Sequence, residues 1–149
     1  MMKEVNEIEI LLVEDNQDDV VMTLRALRKA DLAHRVQVAR DGVEALGFIF
    51  CQGAYAGRKL EQGPKLILLD LKLPKIDGKE VLERIKGDGR TKMIPVVVLT
   101  SSEEQKDVIY SYKLGVNSYI LKPVNFEGFS RAVQKLGIYG LMLSQSSEL

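Results

Sequence analysis

Four short apolar runs in this chain each end abruptly in a group with chemistry. Residues 66–69 are Leu-Ile-Leu-Leu, and Asp70 follows. Residues 8–13 run into Glu14-Asp15, residues 95–99 into Thr100-Ser101, and residues 119–121 into Lys122-Pro123. An all-apolar run this short reads as a strand buried on both faces, as in a parallel sheet. Ending it in a bare carboxylate is costly unless the charge lies at the open carboxyl edge, where α/β sheets bind ligands. The pattern therefore predicts three carboxylates, a hydroxyl and an ammonium converging on one small site. Such a set suits metal-assisted phosphoryl transfer to Asp70.

Helical patterns alternate with the runs. Strands are predicted at 8–13, 34–39, 65–70, 95–100 and 118–121. Helices are predicted at 17–30, 42–51, 78–86 and 102–115, with a fifth after Asn125. The first helix carries Val20, Leu24 and Leu27 on one face, and Asp18 and Asp19 in its first turn, where the helix dipole favours acids. The fourth starts at Ser102, with Gln105 three positions on as a capping box, and stops at Gly115. The fifth spaces Phe126, Phe129, Val133 and Leu136 at helical intervals. Alternating βα units imply an α/β fold, a doubly wound five-stranded parallel sheet with helices on both faces. One domain over 1–149 is expected, ordered over about 7–143. The 27 residues after Lys122 leave room for one helix and no appended effector domain.

Composition removes several function classes. Lys+Arg and Asp+Glu both number 21, so no net charge draws the chain to nucleic acid or anionic lipid. The longest uncharged stretch, 45–57, has 13 residues, against about 20 for a membrane helix. Glu4, Glu7 and Glu9 are unlike the basic start of a signal peptide. A cytoplasmic protein with no nucleic-acid or membrane partner is expected. Cys51, the only cysteine, lies among Phe48, Ile49 and Phe50 and reads as a buried structural thiol. His34, the only histidine, opens the second predicted strand, so histidine metal clusters and spare-histidine triads are excluded.

Each site residue has an ordinary reading beside the chemical one. Glu14 and Asp15 either cap the first helix or bind a hard cation. Asp70 as a third carboxylate favours the cation, since clustered carboxylates repel unless neutralised. Mg²⁺ fits, because it takes one or two carboxylates and shares a phosphate oxygen. Asp70 is a nucleophile or a strand-end residue bonded to amides. Thr100 is a phosphoryl-binding hydroxyl or an ordinary strand threonine. Lys122 neutralises phosphoryl oxygens or sits on the surface beside a turn. Tyr119 is a half-buried core aromatic or follows the movement of the Thr100 hydroxyl.

These residues carry a resemblance. VEDN at 13–16, DGVEAL at 41–46, ILLDLKLPKIDG at 67–78, IPVVVLTSS at 94–102 and GVNSYILKP at 115–123 together resemble the receiver domain of two-component response regulators. VEDN, LPKIDG and the IPVVVLT run are most similar to single-domain regulators of phytochrome-type histidine kinases. The resemblance implies Asp70 as phosphoacceptor, with Mg²⁺ held by Glu14, Asp15, Asp70 and the backbone carbonyl of Lys72. It makes Thr100 the switch hydroxyl, Tyr119 the switch aromatic and Lys122 the phosphate-binding lysine, with a cis Lys122–Pro123 bond. It implies a sensor histidine kinase as partner. Two residues depart from the family pattern. Glu14 stands where Asp is commoner, and the Lys72 side chain is placed to compete with metal for the acid pocket.

Two other function classes fit less well. A haloacid-dehalogenase-type phosphatase needs an acid two residues after its nucleophile, where this chain has Lys72. A flavodoxin-like flavin module needs a phosphate loop after the first strand, where Glu14 and Asp15 would repel it. The output is less determined. Leu136, Ile138, Tyr139, Leu141, Met142 and Leu143 extend the apolar character past one helix face, with Gly137 and Gly140 between them. This end either folds back or frays, or joins helix 4 and strand 5 in a homodimer or partner-docking face.

Overall fold

The computed structural model describes residues 10–60, 63–101, 105–116 and 118–136. Among these, β1 (Ile10–Val13), β2 (Val36–Ala39), β3 (Leu66–Asp70), β4 (Val96–Thr100) and β5 (Ser118–Leu121) form one sheet, ordered β2-β1-β3-β4-β5. Every described pairing is parallel. Five helices connect or follow them: α1 (Gln17–Lys29), α2 (Gly42–Ile49), α3 (Gly78–Gly87), α4 (Gln105–Lys113) and α5 (Phe126–Leu136). This is the predicted doubly wound α/β fold.

The strand period of two divides the core in two. Ile10, Leu12, Leu66, Leu68, Val97 and Leu99 face one layer, with Val20 and Leu27 of α1 and Phe129 and Val133 of α5. Leu11, Val13, Ile67, Leu69, Val96 and Val98 face the other, with Leu46 and Ile49 of α2 and Val81, Leu82 and Ile85 of α3. The three central strands are buried along their whole length, as their unbroken apolar runs require. At the edge, β5 alternates buried and exposed residues.

Two expectations need correction. His34 does not open a strand: Ala33–Arg35 forms a 3₁₀ turn, and β2 begins at Val36. Leu32 is fully buried, its N–H bonded to the Leu27 carbonyl at 2.8 Å, and it plugs the turn before the chain can extend. Cys51 lies past the end of α2 at φ 56° and is only partly buried. A left-handed residue closing a helix turns the chain away from the core, so the thiol is not inside it. The loop 52–64 contains its own 3₁₀ turn, Gly53–Tyr55. Tyr55 packs edge-on against Phe48 and donates its hydroxyl to Glu44 Oε2 at 3.1 Å. The predicted start of the first strand at Ile8, the Ser102 cap and the stretch Gly137–Leu143 lie outside the described residues.

Candidate functional site

Strand order fixes where the site lies. From β1 the chain crosses to β2 on one side, then returns to build β3, β4 and β5 on the other. Connections diverge between β1 and β3, leaving a crevice at their carboxyl ends. Val13 pairs with Leu69, so Glu14 and Asp70, the next residues, emerge side by side. Thr100 ends β4 in register with Leu121, immediately before Lys122. The Lys122 N–H donates to the Thr100 carbonyl at 2.7 Å, tying the two strand ends together. The Lys122–Pro123 bond is cis, as the resemblance implied.

Glu14, Asp15 and Asp70 each offer an oxygen within 4.8 Å of the others. Glu14 and Asp70 are buried and Asp15 is exposed. Asp70 Oδ1 accepts the Lys72 N–H at 3.1 Å, and Oδ2 accepts from Lys122 Nζ at 3.0 Å. Glu14 Oε2 accepts the Asn16 N–H at 3.2 Å. Its other oxygen, Oε1, lies 3.0 Å from Lys122 Nζ, but this contact lacks hydrogen-bond geometry and leaves a buried atom unsatisfied.

Burial pushes the Glu14 carboxyl up to about 8, with the neighbouring Asp70 charge acting in the same direction and Lys122 opposing. A buried carboxylate beside a second negative charge ionises only at a cost that cations offset. Burial alone would lower the Lys122 ammonium, yet its hydrogen bond to Asp70 and the charge of Glu14 raise it overall. The cluster is therefore a pocket of negative charge in which one ammonium is insufficient. Its oxygen donors and its unsatisfied Glu14 atom fit a small divalent cation.

The predicted residues divide into those at this cluster and those beside it. Glu14, Asp15, Asp70 and Lys122 come together. Thr100 is buried at the end of β4, and its hydroxyl bonds the Ser101 carbonyl at 3.1 Å. The Lys72 side chain is exposed, while its backbone N–H touches Asp70. Tyr119 is not a core residue: it is 41% exposed on the outer side of β5, edge-on to Tyr112 at 6.4 Å. Edge-strand alternation puts it there, between buried Ser118 and Ile120. The cluster gains one residue that the sequence marks only as a helix-dipole acid: Asp19, whose Oδ2 lies 3.2 Å from Lys122 Nζ. Its place in the first turn of α1 already had a sufficient explanation in the helix dipole.

No helix among the described residues is long and apolar enough to cross a membrane. The chain matches the response regulator receiver domain over residues 10–134. It is 42% identical over 137 residues to the probable methanogenesis regulatory protein FilR2 of Methanothrix harundinacea (strain 6Ac), covering 92% of this chain and 86% of that one. It is 43% identical over 132 residues to response regulator Rcp1 of Synechocystis sp. (strain ATCC 27184 / PCC 6803 / Kazusa), covering 89% and 88%. The Mn²⁺-bound form of Rcp1 superposes with a TM-score of 0.70 at 42% identity, covering 90% of this chain and 93% of that one. The bacteriophytochrome response regulator AtBRR superposes with a TM-score of 0.79 at 52% identity, covering 87% and 92%. Sheet order, acidic crevice and these similarities agree, and the chain belongs to the response regulator receiver family.

Proposed function

We propose that this chain is a phosphorylation-operated switch in which Asp70 accepts a phosphoryl group from the phosphohistidine of a sensor kinase. The observation that carries this reading is the meeting of Glu14, Asp15 and Asp70 within 4.8 Å beside the Lys122 ammonium. An Asp70 oxygen attacks phosphorus. The O–P bond forms as the P–N bond breaks, and its electron pair returns to the imidazole nitrogen. Lys122, already on Asp70, takes a phosphoryl oxygen. Thr100, buried at the same edge, offers a second donor by turning its hydroxyl from the Ser101 carbonyl. Tyr119 then shifts along β5 in response.

Glu14, Asp15, Asp70 and the Lys72 carbonyl would hold Mg²⁺, the donor set such a cation prefers. The ion would offset charge repulsion between the carboxylate and an anionic phosphodonor. A Mn²⁺-bound form of Rcp1 supports a divalent cation at this site. The similarity to AtBRR supports a phytochrome-type histidine kinase as the partner. We read the domain as acting in the cytoplasm and passing its signal through the face made by α4, β5 and α5.

Intact-mass spectrometry after treatment with acetyl phosphate and Mg²⁺ tests the reading. One labile phosphoryl adduct is expected on the wild type. Asp70→Asn keeps the shape and removes the nucleophile, so the adduct should vanish while the fold survives. Equal labelling of Asp70→Asn would refute the assignment.

A further inference from the structure

Lys122 has one more anion around it than the proposed chemistry requires. Its ammonium lies 3.0 Å from Asp70 Oδ2, 3.0 Å from Glu14 Oε1 and 3.2 Å from Asp19 Oδ2. Three carboxylates therefore crowd one ammonium, and its hydrogen bond goes to Asp70 while the Glu14 contact lacks hydrogen-bond geometry. Asp19 stands outside the acid trio of the crevice. Its backbone is fixed on both sides: the N–H donates to Asn16 Oδ1 at 2.9 Å, and the carbonyl accepts from the Thr23 hydroxyl at 2.7 Å. Its side chain is 25% exposed and that of Lys122 19%, so the pair is screened less than one on an open surface.

We propose that Asp19 is a positioning residue, a competing counter-ion that holds Lys122 in its unphosphorylated arrangement and thereby slows the charging of Asp70. This rests on the reading of Asp70 as phosphoacceptor. The other two carboxylates have a place in that chemistry: Asp70 receives the phosphoryl group, and Glu14 is available to a cation. Asp19 has neither outlet. Its share of the ammonium must be surrendered before Lys122 can turn wholly to phosphoryl oxygens.

Asp19→Asn preserves both backbone hydrogen bonds and removes the charge. With acetyl phosphate and Mg²⁺, the full chain carrying Asp19→Asn should be labelled roughly two- to fivefold faster, the worth of one partly exposed ion pair. Asp19→Glu should return the rate towards wild type. In a Lys122→Ala background, Asp19→Asn should bring no gain, because no ammonium remains to be released. An unchanged or slower rate, or an equal gain without Lys122, would overturn the proposal. A second measurement uses no phosphodonor. Urea unfolding of the metal-free wild type, Asp19→Asn, Lys122→Ala and the double variant should give non-additive stabilities. Additive stabilities would also overturn it. A wild type that takes no label would count against Asp70 as acceptor, and the unfolding cycle would still decide whether Asp19 holds Lys122.

Discussion

Glu14 shows how burying a single carboxylate couples stability to protonation. Its carboxyl is buried beside Asp70 and is held up to about 8, against an ordinary value of 4.5. A folded-state value above the unfolded one means the folded protein binds the extra proton. The associated stability is fully present below about pH 4.5 and is lost as pH rises towards 8. Metal-free protein should therefore melt a few degrees lower at pH 8 than at pH 5, at ~2–4 °C per kcal/mol for a chain of this size. Glu14→Gln should flatten that slope, and saturating Mg²⁺ should offset it by binding the folded state. Melts of equal slope in Glu14→Gln and wild type would remove the assignment. At this scale the sequence was most informative where an apolar run stopped at a charge, as at Asp70 and Glu14. It was least informative where a cheaper explanation covered the residue. Asp19 looked like a helix-dipole acid, and Tyr119 like a core aromatic until β5 took its place at the sheet edge.

Elements beside the crevice meet in a close backbone approach. The N-terminus of α3 rests directly on the end of β3. A Cβ on Gly78 would lie 2.4 Å from the Asp70 carbonyl oxygen and 2.5 Å from the Leu71 Cα. Those are backbone atoms, which cannot swing aside as the tip of a side chain can. Gly78→Ala should force α3 away from β3, costing about 2 kcal/mol in urea unfolding, and should displace Asp70 enough to slow its labelling. Gly87, the last residue of α3, has nothing within 4 Å of its would-be Cβ. Gly87→Ala should be neutral or slightly stabilising. If Gly78→Ala matched Gly87→Ala in stability, the close approach would not matter. The sequence places a helix start near Gly78 but does not show what its backbone meets, since that contact depends on how α3 packs. Element identity followed well from periodicity, and boundaries slipped where tertiary packing intervened. The 3₁₀ turn before β2 exists because buried Leu32 needs a plug position, and α2 ends early because Cys51 takes the left-handed conformation.

At the scale of the whole molecule, sheet order gives an acidic crevice and a separate exposed apolar face. Alternating strands and helices were enough to predict a parallel sheet, but apolar period alone carries no strand order. Order follows from the crossovers, and placing β1 beside β3 joins carboxylates 56 residues apart in the chain. The same order leaves β5 at an edge, and Lys122 follows it directly, so the crevice and the outer face share one strand. Tyr112, Tyr119 and Leu121 are exposed there at 44%, 41% and 54%. Three large apolar side chains around one edge strand mark a surface suited to a protein partner. Tyr112 and Leu121 lie on this face without belonging to the acid cluster. Tyr112→Glu with Leu121→Glu should therefore weaken self-association or kinase-complex affinity by about tenfold, or ~1.4 kcal/mol. Labelling by acetyl phosphate should keep its wild-type rate, because the small donor needs only the crevice. Sedimentation and kinase-binding measurements, with and without phosphorylation, separate the two functions. Unchanged association in both states would move the output away from β5. A parallel loss of labelling would mean that the face and the crevice cannot be perturbed independently.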